Sequence, residues 1–278
     1  MTEFLQLMLK PFIACLILTG IHAYLGLHVI ERGVIFVDLA LAQVAAFGAT
    51  LGFAFGFALH SSGGYWISLA FTLIGAAILA MTRLRKQLVP QEAFIGIVYA
   101  VAAAASILIL SRAPEGGEEL KELLVGHLLF IDWPEILKIA ILYSIIGIIH
   151  WRFRKPFLFI SQEPEQAFAQ GVKVRWWDFL FYATFGFVVT SSVEVAGVLL
   201  VFSFLIVPAV CAVLLARTIG ARLIIGWVVG AFTSMLGVIA SYFWDLPTGS
   251  TIVCVFGTVL LVLAAARAIK VALFTRKR

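Results

Sequence analysis

Apolar runs of about twenty residues recur along the chain, and short polar gaps separate them. A membrane-spanning helix needs roughly 20 mostly apolar residues, because a hydrocarbon core about 30 Å thick is crossed at about 1.5 Å per residue. On that scale the pattern predicts about nine spans, within a range of eight to ten, over 11–30, 36–59, 64–82, 93–111, 136–152, 177–193, 195–216, 221–243 and 249–271. Only Ser191, Ser192 and Glu194 part the sixth span from the seventh, so a broken helix is expected there. The first run has a lysine but no small-residue cleavage site followed by a polar chain, and reads as a retained helix. The spans leave no room for a sizeable soluble domain. The chain therefore reads as one all-α, polytopic transmembrane domain over 1–278.

Two gaps are too long for tight turns. In 112–135, the stretch EELKELLVGHLLF has apolar residues at helical spacing but is too short to span, which predicts an amphipathic or re-entrant helix. In 153–176, Ser161 or Gln162 is placed to cap a short helix that opens with Glu163, Pro164 and Glu165 and ends at Gly171. That helix reads either as a docking element for a soluble partner or as a plain surface linker.

Composition agrees with the spans. Of 278 residues, 63% are hydrophobic and 13% charged, against about 25% charged in soluble domains, and the mean hydropathy is +1.08. The net charge of +5 does not point to nucleic acid, because the basic residues sit in the gaps. Arg32, Arg83, Arg85 and Lys86, then Arg152, Arg154, Lys155, Lys173 and Arg175, then Arg217 and Arg222, and finally Arg276, Lys277 and Arg278 all fall on one side of a nine-span layout. The excess of Lys and Arg marks that side as cytoplasmic, which puts the C-terminus inside, and the N-terminus and the acidic gap 112–135 outside. Cys15, Cys211 and Cys254 lie in apolar runs without metal-ligand spacing and read as small buried hydrophobes. No GxxxxGK[ST], HExxH, GxSxG or CxxC pattern occurs. No catalytic cluster suggests an enzyme, so work against a gradient needs a coupling ion or an energised partner.

Several segments, in order, resemble the permease subunits of metal-type ABC importers, the family for zinc, manganese and iron(II). They are QEAFIGIVYAVAAAASILILS (91–111) with Glu92, Ile95 and Gly96; LVGHLLFIDWPEI (124–136); EPEQAFAQGVKVRWWDFL (163–180) with Gly171 and Val172; AGVLLVFSFLIVPAVCAVLLA (196–216) with Pro208; and DLPTGSTIVCVFG (245–257) with Pro247, Thr248 and Gly249. The resemblance covers nearly the whole chain. It implies a type II ABC-importer-like permease of the inner membrane, working as a homodimer or pseudo-dimer by alternating access. It also implies a cytoplasmic ABC ATPase that carries the ATP and docks on a coupling helix within 161–175, through Glu163, Glu165, Gln166, Gly171 and Val172. An extracytoplasmic metal-binding protein would deliver a divalent metal as cargo, with no cofactor bound by this chain. The alternatives are an ion-coupled secondary transporter, or a permease of this family with a non-metal or metal-chelate cargo.

One departure concerns the second span. The family carries an aspartate and a histidine four residues apart there. Anchored on AQVAAFG, those positions hold Leu39 and Gln43, and Asp38 is one residue early, about 100° around the helix. The pathway candidates are then Asp38, Gln43, Glu194 and His127. Asp38 either lines the path or pairs with Arg32 or another cation. Gln43 either meets cargo or bonds between helices. Glu194 either gates the path or caps the seventh helix. His127 is the histidine placed to meet metal or the binding protein, whereas His22, His28, His60 and His150 read as helix-end or interface residues. Glu92 matches the family acid, or is simply a charge at a helix N-terminus. The small-residue runs at 42–52 and 100–107 permit close helix packing.

Overall fold

A computed structural model of the protein describes residues 2–57, 61–83, 89–111 and 126–275. The described chain is helical, without strands: α1 (Thr2–Arg32), α2 (Val37–Ala54), α3 (Ser62–Thr82), α4 (Gln91–Leu110), a 3-10 turn (Leu128–Phe130), α5 (Trp133–Arg152), α6 (Arg154–Gln162), α7 (Pro164–Ala169), α8 (Val174–Leu215), α9 (Ile219–Trp244) and α10 (Thr248–Thr275). Eight of these helices are long and apolar enough to cross a membrane. His60, Arg85, Lys86, the basic C-terminal triplet and residues 112–125, which include most of the expected outer helix at 118–130, lie outside the described residues.

The nine expected apolar stretches appear as eight long helices because the sixth and seventh run together in α8, which is 42 residues long with a kink inside it. The break in that helix is also displaced from its expected place. Ser191 Oγ donates to the carbonyls of Phe187 and Val188, and Ser192 Oγ to that of Val188, so both serines stay helical and Glu194 follows within the helix. The non-helical residue is Gly197, at φ 72° and ψ 161°, a region open essentially to glycine. Gly126 packs on this break, where a Cβ would stand 2.4 Å from Gly197 N. Each part of α8, before and after Gly197, has roughly the 20 residues a crossing needs.

The described chain divides into two compact units. In the unit made of Met1–Leu27, His127–Ile136 and Leu199–Arg278, α9 packs on α10 and the 3-10 turn rests on α10. α1 approaches its neighbours at glycines: a Cβ on Gly230 would meet Thr19, and one on Gly26 would meet the backbone of Leu205. Trp227 Nε1 donates to Gly20 O at 3.0 Å, and Phe204 meets Phe256 edge-on. In the unit made of His28–Gly126 and Leu137–Val198, α2 packs against both α3 and α4. The small-residue run of α2 works as read: Ser68 Oγ reaches Ala45 O at 2.8 Å across a contact where Gly48 leaves no space for a Cβ. Hydroxyls bond between helices in the same way, Thr72 with Thr190 at 3.0 Å and Tyr143 with Ser192 at 2.6 Å.

Helix ends follow local chemistry. Asp132 and Glu135 form a reciprocal capping box at the start of α5, with Asp132 Oδ1 accepting from Glu135 N at 2.9 Å and Asp132 N donating to Glu135 Oε2 at 3.3 Å. Five exposed tryptophans stand near helix ends, Trp66 on α3, Trp133 and Trp151 on α5, Trp176 on α8 and Trp244 on α9, the placement expected where hydrocarbon gives way to headgroups; Trp227 is exposed within α9. Cys15 and Cys211 are buried, but Cys254 is exposed on α10, because that helix is itself apolar and little covered.

Candidate functional site

Asp38 is in the first turn of α2 and 1% exposed. Neither carboxylate oxygen has a hydrogen bond of normal geometry; the backbone N–H groups of Asp38 and Leu39 and the carboxylate of Glu92 are its polar surroundings. Glu92, in the first turn of α4, accepts from the backbone N–H of Ile35 through Oε1, and its Oε2 is buried without a hydrogen bond. Two carboxylates thus lie near one another at the starts of α2 and α4. Among the described residues no Lys or Arg pairs with Asp38. The expected alternative, an Arg32–Asp38 pair, does not form: Arg32 Nη1 bonds to Asp178 Oδ1 at 2.5 Å.

Gln43 is on a different face. Leu39, Gln43, Phe47 and Leu51 are each partly exposed and recur every four residues along α2, while Asp38 and most intervening residues are buried. A residue turns about 100° on a helix, so Asp38 and Gln43 do not share a face. The two positions where the resemblance expects an acid and a histidine do lie on the partly exposed stripe, with Gln43 as its one amide.

Glu194 and His127 have other partners. Glu194 Oε2 is 4.0 Å from Lys138 Nζ, and that ammonium stands 4.7 Å from the centroid of the Tyr65 ring. Being inside α8, Glu194 does not cap a new helix. His127 Nε2 is 3.5 Å from Glu135 Oε1, which ties it to the capping box of α5. Among the described residues no three His, Cys, Asp or Glu side chains come together as a metal-ligand set. The other described histidines are buried: His22 Nδ1 donates to Leu18 O at 2.8 Å, and His150 Nε2 meets Thr184 Oγ1 at 2.8 Å.

The segment from Arg154 to Val174 folds as two short helices and a turn. Ile160, Ala167 and Val174 form a buried apolar cluster, with Phe159, Phe168, Val172 and Trp177 packed around it. Glu163, Glu165, Gln166 and Gly171 are exposed and Val172 is half-buried. The expected cap does not form, because Ser161 belongs to α6 and Glu163 takes the N-cap place of α7 without a side-chain bond. Gly171 does end the helix, at φ 72°, with Gly171 N donating to Phe168 O at 3.2 Å and Val172 N to Ala167 O at 3.0 Å, a Schellman-type closure.

The sequence reading missed Asp178. It sits just inside the expected sixth span and is fully buried, and an acid within an apolar span signals a specific partner. Its partners are Arg32 and Arg83, the latter at 3.2 Å.

A set of membrane-length helices, one of them with a partly exposed stripe that carries a single amide, together with a polar-faced helix pair held by a small apolar cluster, has the make-up of a transporter's membrane subunit. Residues 4–267 match the ABC 3 transport family, and the chain belongs to that family. It is similar to the "Probable iron transport system membrane protein" of Haemophilus influenzae, at 26% identity over 98% of this chain and 93% of that protein. It is also 26% identical to the manganese transport system membrane protein MntC of Listeria monocytogenes, over 99% of this chain and 95% of that protein. In fold it is similar to a chain of PsaBC from Streptococcus pneumoniae in complex with Fab, with a TM-score of 0.76 and 23% identity over 94% and 91% of the two chains. The protein is a multi-span permease of the ABC transporter class.

Proposed function

We propose that this chain is the permease subunit of an importer for a divalent metal ion (manganese, iron or zinc), driven by ATP hydrolysis on a separate cytoplasmic ATPase. The observation that carries this reading is the family match along 4–267. Manganese and iron in the names of relatives that align over nearly their whole length support a metal cargo. In this reading two copies of the permease form the path in the inner membrane. Cargo arrives from an extracytoplasmic metal-binding protein, passes the α2 stripe at Gln43 and descends past Asp38 and Glu92, whose carboxylate oxygens suit a hard divalent cation. The exposed face of α6 and α7 (Glu163, Glu165 and Gln166, with the turn at Gly171 and Val172) docks the ATPase, whose closure drives alternating access. The basic clusters support a cytoplasmic side for this segment and for the C-terminus.

The test is transport of manganese(II) into liposomes by the purified chain with and without its ATPase. Uptake only with the ATPase and ATP is expected, and uptake without them overturns the reading in favour of an ion-coupled carrier. Docking is checked separately by Gly171→Ala. A Cβ there meets nothing within 4 Å, so the change acts only through the left-handed backbone, at about 1–2 kcal/mol. ATPase recovered by co-purification should fall by about five-fold or more, since about 1 kcal/mol is a factor of five.

A second reading, a metal-chelate cargo, is favoured by Gln43 and Leu39 at the positions where the resemblance expects histidine and aspartate. A hydrogen-bonding amide suits a chelate better than a bare hard or borderline cation. The same liposomes separate the two when manganese(II) is offered free or as a chelate.

A further inference from the structure

The cytoplasmic-end charges that topology assigns to Arg32 and Arg83 are not solvated. Both converge on one buried carboxylate. Asp178, near the start of α8, is fully buried; Arg32 Nη1 reaches its Oδ1 at 2.5 Å, and Arg83 Nη1 lies 3.2 and 3.3 Å from its two oxygens. The same two arginines also hold α6. Arg83 Nη2 donates to the carbonyl of Ile160 at 3.2 Å, and Arg32 Nε donates to Ser161 Oγ at 2.9 Å. Ser161 gives its single hydrogen to Phe157 O at 2.8 Å, so toward Arg32 Nε, and toward His28 Nδ1 at 2.9 Å, it is the acceptor. The Arg32 guanidinium is further pressed on the Phe181 ring, 4.0 Å from its centroid. One carboxylate therefore links the end of α1, the residue that follows α3, the start of α8 and, through both arginines, α6.

We propose that Asp178 is the positioning residue through which displacement of the α6–α7 segment is passed to α1 and α3. Every member of the node is buried, so no water is at hand to replace a lost partner. Separating them leaves uncompensated charge in a low-dielectric interior, which costs far more than moving the linked ends together. α6 is thus fastened to the ends of two spans by directional, charge-assisted bonds, in addition to the apolar cluster of Ile160, Ala167 and Val174. Asp178 touches neither cargo nor the exposed docking face. It acts by keeping Arg32 and Arg83 bound to α6. This inference rests on the reading that α6–α7 is where the ATPase docks.

The experiment uses the permease–ATPase complex in liposomes and records ATPase co-purification, ATP hydrolysis and manganese(II) taken up per ATP hydrolysed. Asp178→Asn keeps the shape and removes the charge. It is expected to leave co-purification and hydrolysis within about two-fold of the unmodified complex, while uptake per ATP falls at least ten-fold. Ser161→Ala leaves both Asp178 ion pairs and removes only the hydroxyl joining α6 to Arg32 and His28. It is expected to lower uptake per ATP two- to five-fold, and it decides the matter if Asp178→Asn does not fold. Uptake and hydrolysis falling in proportion, or uptake per ATP unchanged in both variants, overturns the proposal. So does loss of ATPase co-purification in Ser161→Ala, which would make Ser161 part of the docking surface. If the unmodified chain retains no ATPase, the docking reading itself has failed, and that result is distinct from failure of the node.

Discussion

Gly26→Ala is expected to destabilise the protein by about 3 kcal/mol, the upper end of the usual cost of overpacking a closed contact. A Cβ at Gly26 would stand 1.9 Å from the carbonyl oxygen of Leu205 and 3.1 Å from Ala209 Cβ. The obstacle at 1.9 Å is backbone, so no side-chain rotation relieves it and α1 must move away from α8. Gly20 is the control, on the same helix, where an added Cβ meets nothing within 4 Å. Gly20→Ala should be neutral, or stabilise by up to about 1 kcal/mol through helix propensity. Thermal unfolding of both variants in detergent separates them, and equal shifts in the same direction would refute the close-approach argument.

Asp38→Asn is expected to cut metal transport at least ten-fold while leaving the unfolding temperature unchanged or raised. An ionised carboxylate that is 1% exposed and has no normal hydrogen bond carries a desolvation cost, and Glu92 beside it adds like-charge repulsion. Against this stands the positive end of α2, worth up to about 2 kcal/mol in a partly buried site. Asparagine retains the shape and removes the charge. If Asp38 is kept for its interaction with a passing cation, stability and transport respond in opposite directions. Lost stability with intact transport would make it a structural helix-end charge. Manganese(II) uptake and thermal unfolding on one preparation read both.

The membrane helices were legible because hydropathy is a local property: twenty apolar residues signal a span whatever they pack against. The end of α7 at Gly171 was legible for the same reason. The position of the break in α8 was misread because polarity is not what breaks a helix. Ser191 and Ser192 can return their hydroxyls to carbonyls one turn back, whereas Gly197 takes a conformation the helix cannot contain. α6 was hidden by its composition, RKPFLFISQ, whose basic start and early proline resemble a linker. The pairing at Asp178 was out of reach for a different reason. Its partners lie 146 and 95 residues away in sequence, and nothing local distinguishes them from the Arg32–Asp38 pair that proximity suggests. Among the candidate residues of α2, the helical period separates Asp38 from the face that holds Gln43, but only the fold shows that Glu92, on another helix, comes up beside Asp38.

The spans α2, α3, α4 and α5 contain 18, 21, 20 and 20 residues, so upright they measure about 27–32 Å. Tryptophans on α3 and α5 mark their ends. A hydrophobic girth of that height suits lipids of ordinary acyl length. In a longer-chained bilayer these helices have no slack to tilt into, so the lipid must thin around them at a cost of a fraction of a kcal/mol for each Å of mismatch. Acyl-chain length is then expected to set how well these four helices are seated, and their stability depends on the lipid that surrounds them.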